Sequence, residues 1–317
     1  MLNWLIRYLA NRWSSSKRIT KLNILTYHRV SEFHDPKNPN TITLALFEQQ
    51  VKWLIKHFTV LPLPEALILQ ENNKLPPRAV CLTIDDGYQD SYDLIYKVLQ
   101  KNNISATFFI STQGILEGGL WDAEIYSAIF NAPTDVGSIY CDGMLFDLSS
   151  LEDRIKSRYR LTEYAKYLSL KDRTKLLTEL KGQTSFNPIE HNFLTEKQIK
   201  VMHCSGMTIA AHTHSHPILM KENNETAFAE IKLSKELLEQ IIEEPVEYFA
   251  YPNGRIGQDY NEEHVDMVKK IGFKAALSTD WGSLTNLKLE RFKIKRFTPW
   301  DKKEIFFALR LALNYRK

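Results

Sequence analysis

The sequence predicts an α/β protein: a distorted (β/α) barrel of about seven parallel strands with a helical insertion. Three observations lead there. Short apolar runs alternate with segments of helical periodicity, the runs number about seven, and one span, 113–194, breaks the rhythm. Strands separated by helices form parallel βα units, and this many suit a closed or partly open barrel better than a flat doubly wound sheet.

Taken in order, residues 1–20 form an amphipathic helix. Leu2, Leu5, Ile6, Leu9 and Trp13 share helical spacing, with Arg7, Arg12, Lys17 and Arg18 beside them. Two readings stay open: a helix packed on the domain, or a peripheral membrane contact through residues 1–18. Arg7 interrupts the apolar stretch and no small-residue cleavage site follows, which argues against a signal peptide. No apolar run is long enough for a transmembrane span.

The barrel occupies 21–300, with strands expected at 22–27, 80–84, 106–110, 208–211, 248–250, 275–278 and 294–297. Helices are expected at 44–57, 91–101, 195–202, 226–243 and 262–271. The span 113–194 holds Gly118-Gly119, a Cys141-Asp142-Gly143 turn signal and two charged helical stretches, and reads as a mostly helical insertion on the barrel face. Residues 301–317 form a C-terminal helix.

Apolar residues make up 44 % of the 317 and charged ones 25 %, which supports a large packed core and excludes compositional disorder. A net charge of +3 without a dense Lys/Arg stripe gives no reason to expect a nucleic-acid partner. Cys81, Cys141 and Cys204 are scattered and form no CxxC pair, so a reducing compartment fits best. The expected location is cytoplasmic, at the membrane surface if the N-terminal stripe binds lipid.

Three segments carry chemistry. In Leu82-Thr83-Ile84-Asp85-Asp86-Gly87-Tyr88, two adjacent carboxylates follow an apolar strand, at the end where barrel active sites sit. Alone, Asp86-Gly87 reads as a turn that merely caps the strand. In His212-Thr213-His214-Ser215-His216-Pro217, three alternate histidines follow another apolar strand. Neutral imidazoles are common ligands of divalent transition metals. In Phe249-Ala250-Tyr251-Pro252-Asn253-Gly254, an apolar strand breaks into a Pro-Asn-Gly turn.

Together, and in this order, the segments resemble the polysaccharide deacetylases of carbohydrate esterase family four. Thr83-Ile84-Asp85-Asp86-Gly87 resembles that family's T-F-D-D-G signature, and His212–His216 matches its H-[ST]-x-x-H signature. The resemblance implies metal-dependent hydrolysis of N-acetyl groups on an amino-sugar-containing carbohydrate: a polysaccharide, an oligosaccharide or a lipid-linked precursor. It implies Asp86, His212 and His216 as ligands of a divalent ion, zinc foremost, with cobalt, nickel or iron tolerated. Asp85 is then the general base, and the backbone N–H of Asn253 helps hold the oxyanion. Trp281 resembles a family tryptophan of the acetyl pocket, and Tyr88 is expected to contact substrate.

The chain departs from the family pattern in two places. Ala250 stands where an arginine orients the base, and Arg296 is the candidate to supply that charge from a later strand. No Leu-x-His motif follows near the C-terminus to furnish the catalytic acid. His28, in Ile24-Leu25-Thr26-Tyr27-His28, follows the first expected strand, which in a closed barrel adjoins the last. It resembles the Tyr-His of circularly permuted relatives and is the expected acid. These departures leave open an inactive carbohydrate-binding module on the same fold, and a deacylase of another amide is a further alternative.

Overall fold

A computed structural model describes residues 2–15, 20–184 and 192–317. Seven strands run parallel in chain order: β1 (Asn23–Tyr27), β2 (Ala79–Asp86), β3 (Thr107–Ile110), β4 (Thr208–Ala211), β5 (Tyr248–Ala250), β6 (Ala275–Trp281) and β7 (Ile294–Arg296). The sheet closes where β7 returns to β1. Thr26 N–H donates to Phe297 O at 2.9 Å, and Phe297 N–H donates to Ile24 O at 2.8 Å. At the β4–β5 joint a single register pair, Phe249 with Ala211, spans the seam. The barrel is therefore nearly closed and distorted, as the alternation of apolar runs predicts.

The strands are buried on both faces, which is why they read as continuous apolar runs rather than alternating ones. Ile24, Cys81, Phe109, Ala210 and Ile294 form one cluster inside the barrel, while Leu25, Leu82, Ile84, Phe108 and Ile209 pack outward among the helices. A period of two puts Thr83 and Asp85 on the same inner face as Cys81. A carboxylate at that position lies inside the mouth of the barrel, 1 % exposed.

Helices Leu44–His57, Glu196–Cys204, Asn224–Ile242 and Glu262–Ile271 surround the sheet. Their starts are locally encoded. Thr195 and Asn261 each close a capping box on the third helical residue, and Asn223 accepts from Thr226 N–H. The helix expected at 91–101 is two pieces, a π-helical turn at Ser91–Tyr96 running into Lys97–Lys101. Helix Leu63–Glu71 has no counterpart among the expected elements, because its apolar residues lack one-sided periodicity.

The insertion is more mixed than its expected helical character. Helices Trp121–Phe130, Leu151–Lys166 and Leu170–Thr184 enclose an antiparallel hairpin, Ser138–Cys141 with Met144–Asp147. Its two-residue turn is Asp142-Gly143, both in the left-handed region, which suits the twist of a hairpin. The insertion carries its own apolar cluster around Ile125, Ile139, Phe146, Leu161 and Leu180. The N-terminal helix, Leu2–Ser14, buries Ile6 and Ala10 and packs along the C-terminal helix, Glu304–Asn314. Among the described residues no helix is long and apolar enough to cross a membrane.

Candidate functional site

β2 delivers its two terminal carboxylates to different places. Asp85 continues the inward face. Asp86 takes φ 78°, which swings its side chain out of the strand alternation toward the barrel mouth. Gly87 follows at φ 84°, and a β-carbon there would stand 2.7 Å from Ile110 Cγ2, so the residue after the pair has to be glycine.

Asp85 is enclosed by partners. Arg296 Nη1 donates to its Oδ1 at 2.8 Å and to Thr83 Oγ1 at 3.2 Å, while Arg296 Nε donates to Ser278 O at 2.9 Å. Both ionic side chains are almost wholly buried. The second oxygen, Oδ2, faces His28 Nε2 at 4.0 Å. Burial opposes the charge on Asp85, but the Arg296 guanidinium, with His212 and His28 nearby, holds its carboxyl below the usual range. Arg296 thus stands on the base candidate from the last strand, and His28 reaches the same carboxylate from the first.

Asp86, His212 and His216 form the second group, with one donor atom from each lying within 4.8 Å of the others. Asp86 Oδ1 is 3.6 Å from His212 Nε2 and 3.5 Å from His216 Nε2. Two ligand bonds of about 2.1 Å at a tetrahedral angle place donor atoms about 3.4 Å apart, so the set has the span a metal ion needs. Two further features fit a cation. Asp86 Oδ1 is buried and, among the described residues, accepts no hydrogen bond. His212 Nδ1 donates to Ala250 O at 2.7 Å, which leaves its Nε2 lone pair facing Asp86.

Burial pushes the Asp86 carboxyl up to about 7, with Asp85 and Asp122 adding to it. Burial likewise pushes His212 down to about 4 and His216 well below its ordinary value. The imidazoles are therefore neutral, the form that binds metal. Asp86, Thr213, His216 and Asn253 all hold positive φ, so backbone strain gathers at this mouth.

The loop after β4 is fixed from outside. Glu230 accepts from Ser215 N–H at 2.7 Å and from Ser215 Oγ at 2.8 Å. His214 turns away from the other histidines and pairs its Nδ1 with Thr112 Oγ1 at 2.8 Å. In the turn after β5, Asn253 O accepts from Thr279 Oγ1, and among the described residues no protein acceptor takes the Asn253 N–H. Gly254, at φ 73°, is needed because a β-carbon there would lie 2.9 Å from Thr279 N.

A cavity of about 300 Å³ joins these groups: His28, Asp85, Asp86, His212, His216 and Asn253 all line it. Its far wall is the insertion, through Leu120, Trp121, Thr162 and Lys166, residues that carry no motif. Wider grooves adjoin on both sides. One, of about 680 Å³, shares His28, Asp86 and Asp122 with it; the other, of about 610 Å³, shares Lys166, Asn253 and Thr279. Trp281 lies outside the central cavity, on the second groove, 43 % exposed and stacked on Trp300 at 5.0 Å. Tyr88 lies on the first groove. Its ring is buried against Phe193 and under Arg29, and its hydroxyl donates to Asp122.

A family model described as polysaccharide deacetylase matches residues 72–146 and 170–276, more than half of the chain. YxkH of Bacillus subtilis (strain 168) is 24 % identical over 276 residues, 86 % of this chain and 70 % of that protein. The poly-beta-1,6-N-acetyl-D-glucosamine N-deacetylase of Staphylococcus aureus (strain N315) is 32 % identical over 113 residues, 35 % of this chain and 39 % of that protein. Among solved structures, the Streptococcus pyogenes deacetylase PplD in complex with acetate superposes with a TM-score of 0.64. It is 20 % identical, and the match covers 93 % of this chain and 99 % of that one. At that identity the likeness speaks for the fold.

Proposed function

Because the chain belongs to the polysaccharide deacetylase family, a family of hydrolases acting on carbon–nitrogen bonds other than peptide bonds, we propose that it removes N-acetyl groups from an amino-sugar-containing carbohydrate with the aid of a divalent metal. The single observation that carries this reading is the juxtaposition at the barrel mouth. A three-residue donor set stands beside an ionised carboxylate that is itself braced by a buried arginine.

Asp86, His212 and His216 would hold the ion, and two imidazoles with one carboxylate suit zinc while also accepting cobalt, nickel or iron. Such an ion would supply Lewis acidity, making the attacking water more acidic and the acetyl carbonyl more electrophilic. Asp85 takes the proton of the attacking water on Oδ2, since Oδ1 is engaged by Arg296. Arg296 keeps Asp85 ionised and immobile. The Asn253 N–H is directed at the carbonyl oxygen as charge grows on it. His28 hands a proton to the departing nitrogen, so that the amide C–N bond breaks to give acetate and a free amine.

His28 reaches Asp85 from the opposite end of the chain to Arg296, which supports a permuted arrangement in which the usual C-terminal acid is replaced from β1. The grooves on either side of the cavity suit a carbohydrate longer than one sugar, with Trp281 and Tyr88 at its flanks. Acetate release should be followed on N-acetylated glucosamine oligomers of increasing length, with metal-loaded wild type, Asp86→Ala and Asp85→Asn. Asp86→Ala is expected to lose both metal and activity. Asp85→Asn is expected to keep metal and lose about 10²–10⁴ in turnover. Full activity in a chelator-stripped sample would refute the reading.

A further inference from the structure

The two histidines of the donor set are held in place by different means. His212 is oriented through its ring, by the bond from Nδ1 to Ala250 O. His216 is held through its backbone. It sits at φ 55°, a conformation that a residue with a β-carbon keeps only when its surroundings enforce it. Its carbonyl oxygen accepts two side-chain donors, Trp121 Nε1 at 3.3 Å and Arg173 Nη1 at 3.4 Å. Both donors belong to the insertion.

Arg173 is an unusual residue to find there. It is 2 % exposed, and among the described residues no carboxylate pairs with it within 4.0 Å. Burying a guanidinium with no direct ion pair is costly, even though the carboxylates of Glu222, Asp122 and Glu230 act on it from a distance. Its donors go to three main-chain carbonyls: His216, Ala165 from Nε at 3.3 Å, and Lys166 from Nη2 at 3.4 Å. Its charged plane also lies over the Trp121 ring, 4.4 Å from the centroid. One guanidinium thus gathers the end of helix Leu151–Lys166, the cavity-wall residue Trp121 and the backbone of His216.

We propose that Arg173 is a positioning residue that locks His216 to the insertion, so that the insertion sets the geometry of the metal site as well as walling the cavity. This rests on the reading of His216 as a metal ligand. It extends that reading to a residue outside every motif. Groups that orient a ligand from behind typically change metal affinity about 10–100-fold when removed.

The test uses the full chain with Co²⁺ as probe, reading the visible ligand-field spectrum and the dissociation constant by chelator competition. Arg173→Met should weaken Co²⁺ binding about tenfold or more and alter the spectrum. Trp121→Phe, which deletes the other donor and keeps an aromatic ring, should do so to a smaller degree. Arg173→Lys retains the charge but not the three-way fork, and should fall between wild type and Arg173→Met. Ile139→Ala serves as control: it loosens the insertion core without removing a donor to His216, and should lower Tm while leaving spectrum and affinity unchanged. Wild-type affinity and spectrum in folded Arg173→Met or Arg173→Lys would overturn the proposal. So would an equal loss of affinity in Ile139→Ala, since that would reduce Arg173 to general packing. Failure of the wild type to bind Co²⁺ would instead overturn the assignment of the metal site itself.

Discussion

Asp85 and Asp86 are neighbours in sequence with opposite fates, and the difference is one partner. Both are withdrawn from water, yet Arg296 stands on Asp85 and holds it ionised, while burial lifts Asp86 to about 7. The sign of the consequence is fixed by that elevation. In the metal-free protein Asp86 keeps a proton until the pH approaches neutrality, and a binding cation has to displace it. We predict that apparent metal affinity falls about tenfold per pH unit below about 7 and levels off above it, as single-proton competition requires. Chelator competition at a series of pH values measures this, and a flat profile across neutrality would reject it. The residues of this site that were legible in sequence are those packed into short runs: Asp85-Asp86 and His212 to His216. Arg296, within the last expected strand, and His28, just after the first, were legible as candidates only because the family pattern leaves an arginine and a histidine unaccounted for here. Trp121, Arg173 and Glu230 were not, since a lone tryptophan, arginine or glutamate in a charged helix gives no local sign of what it will touch.

Among the elements, those with strong local signals matched the structure closely. Helices Leu44–His57 and Glu262–Ile271 and strands Thr208–Ala211 and Tyr248–Ala250 lie within their expected bounds. β6 runs to Trp281, past its expected end at 278, because pairing with β7 extends it across polar residues that carry no strand pattern. The hairpin of the insertion was hidden for a related reason: its strands are four residues each, too short for alternation to outweigh the helical stretches around them. Helix Asn224–Ile242 shows how an element far from the chemistry serves it. Through Glu230, buried on its inner face, it takes both the N–H and the hydroxyl of Ser215, in the middle of the histidine loop. Glu230→Ala leaves two buried donors without an acceptor, for which a cost of about 1–3 kcal/mol is expected. Chemical denaturation would register that loss. A midpoint equal to wild type would mean that water replaces the carboxylate and that the loop needs no brace from this helix.

At the scale of the whole molecule, the barrel mouth, the insertion and the two flanking grooves occupy one face, and the terminal helices form a separate layer. The N-terminal helix resolves part of the ambiguity in its sequence. Ile6 and Ala10 are buried, and Ser14 Oγ accepts from Arg78 N–H at 2.8 Å, so one side is packed on the domain. The other side leaves Trp4 69 %, Tyr8 48 % and Leu5 43 % exposed, with Trp4 and Tyr8 stacked at 5.5 Å and Arg7 and Arg12 also at the surface. The adjoining C-terminal helix exposes Ile305 and Phe306. Aromatic rings beside cationic side chains on one amphipathic helix suit the interface of an anionic bilayer, where the rings lie at headgroup depth and the charges meet lipid phosphates. We predict that the protein sediments with anionic vesicles at low salt and is released as ionic strength rises, because screening weakens the electrostatic share. Deleting the helix would uncover Ile6 and Ala10 and confound the result, so the sharper probe is Trp4→Ser with Tyr8→Ser. That double variant should lose vesicle binding while its acetate release from a soluble oligosaccharide stays at the wild-type level, since neither residue lines the cavity. Equal sedimentation of variant and wild type, or none by wild type, would leave the exposed aromatics as plain surface.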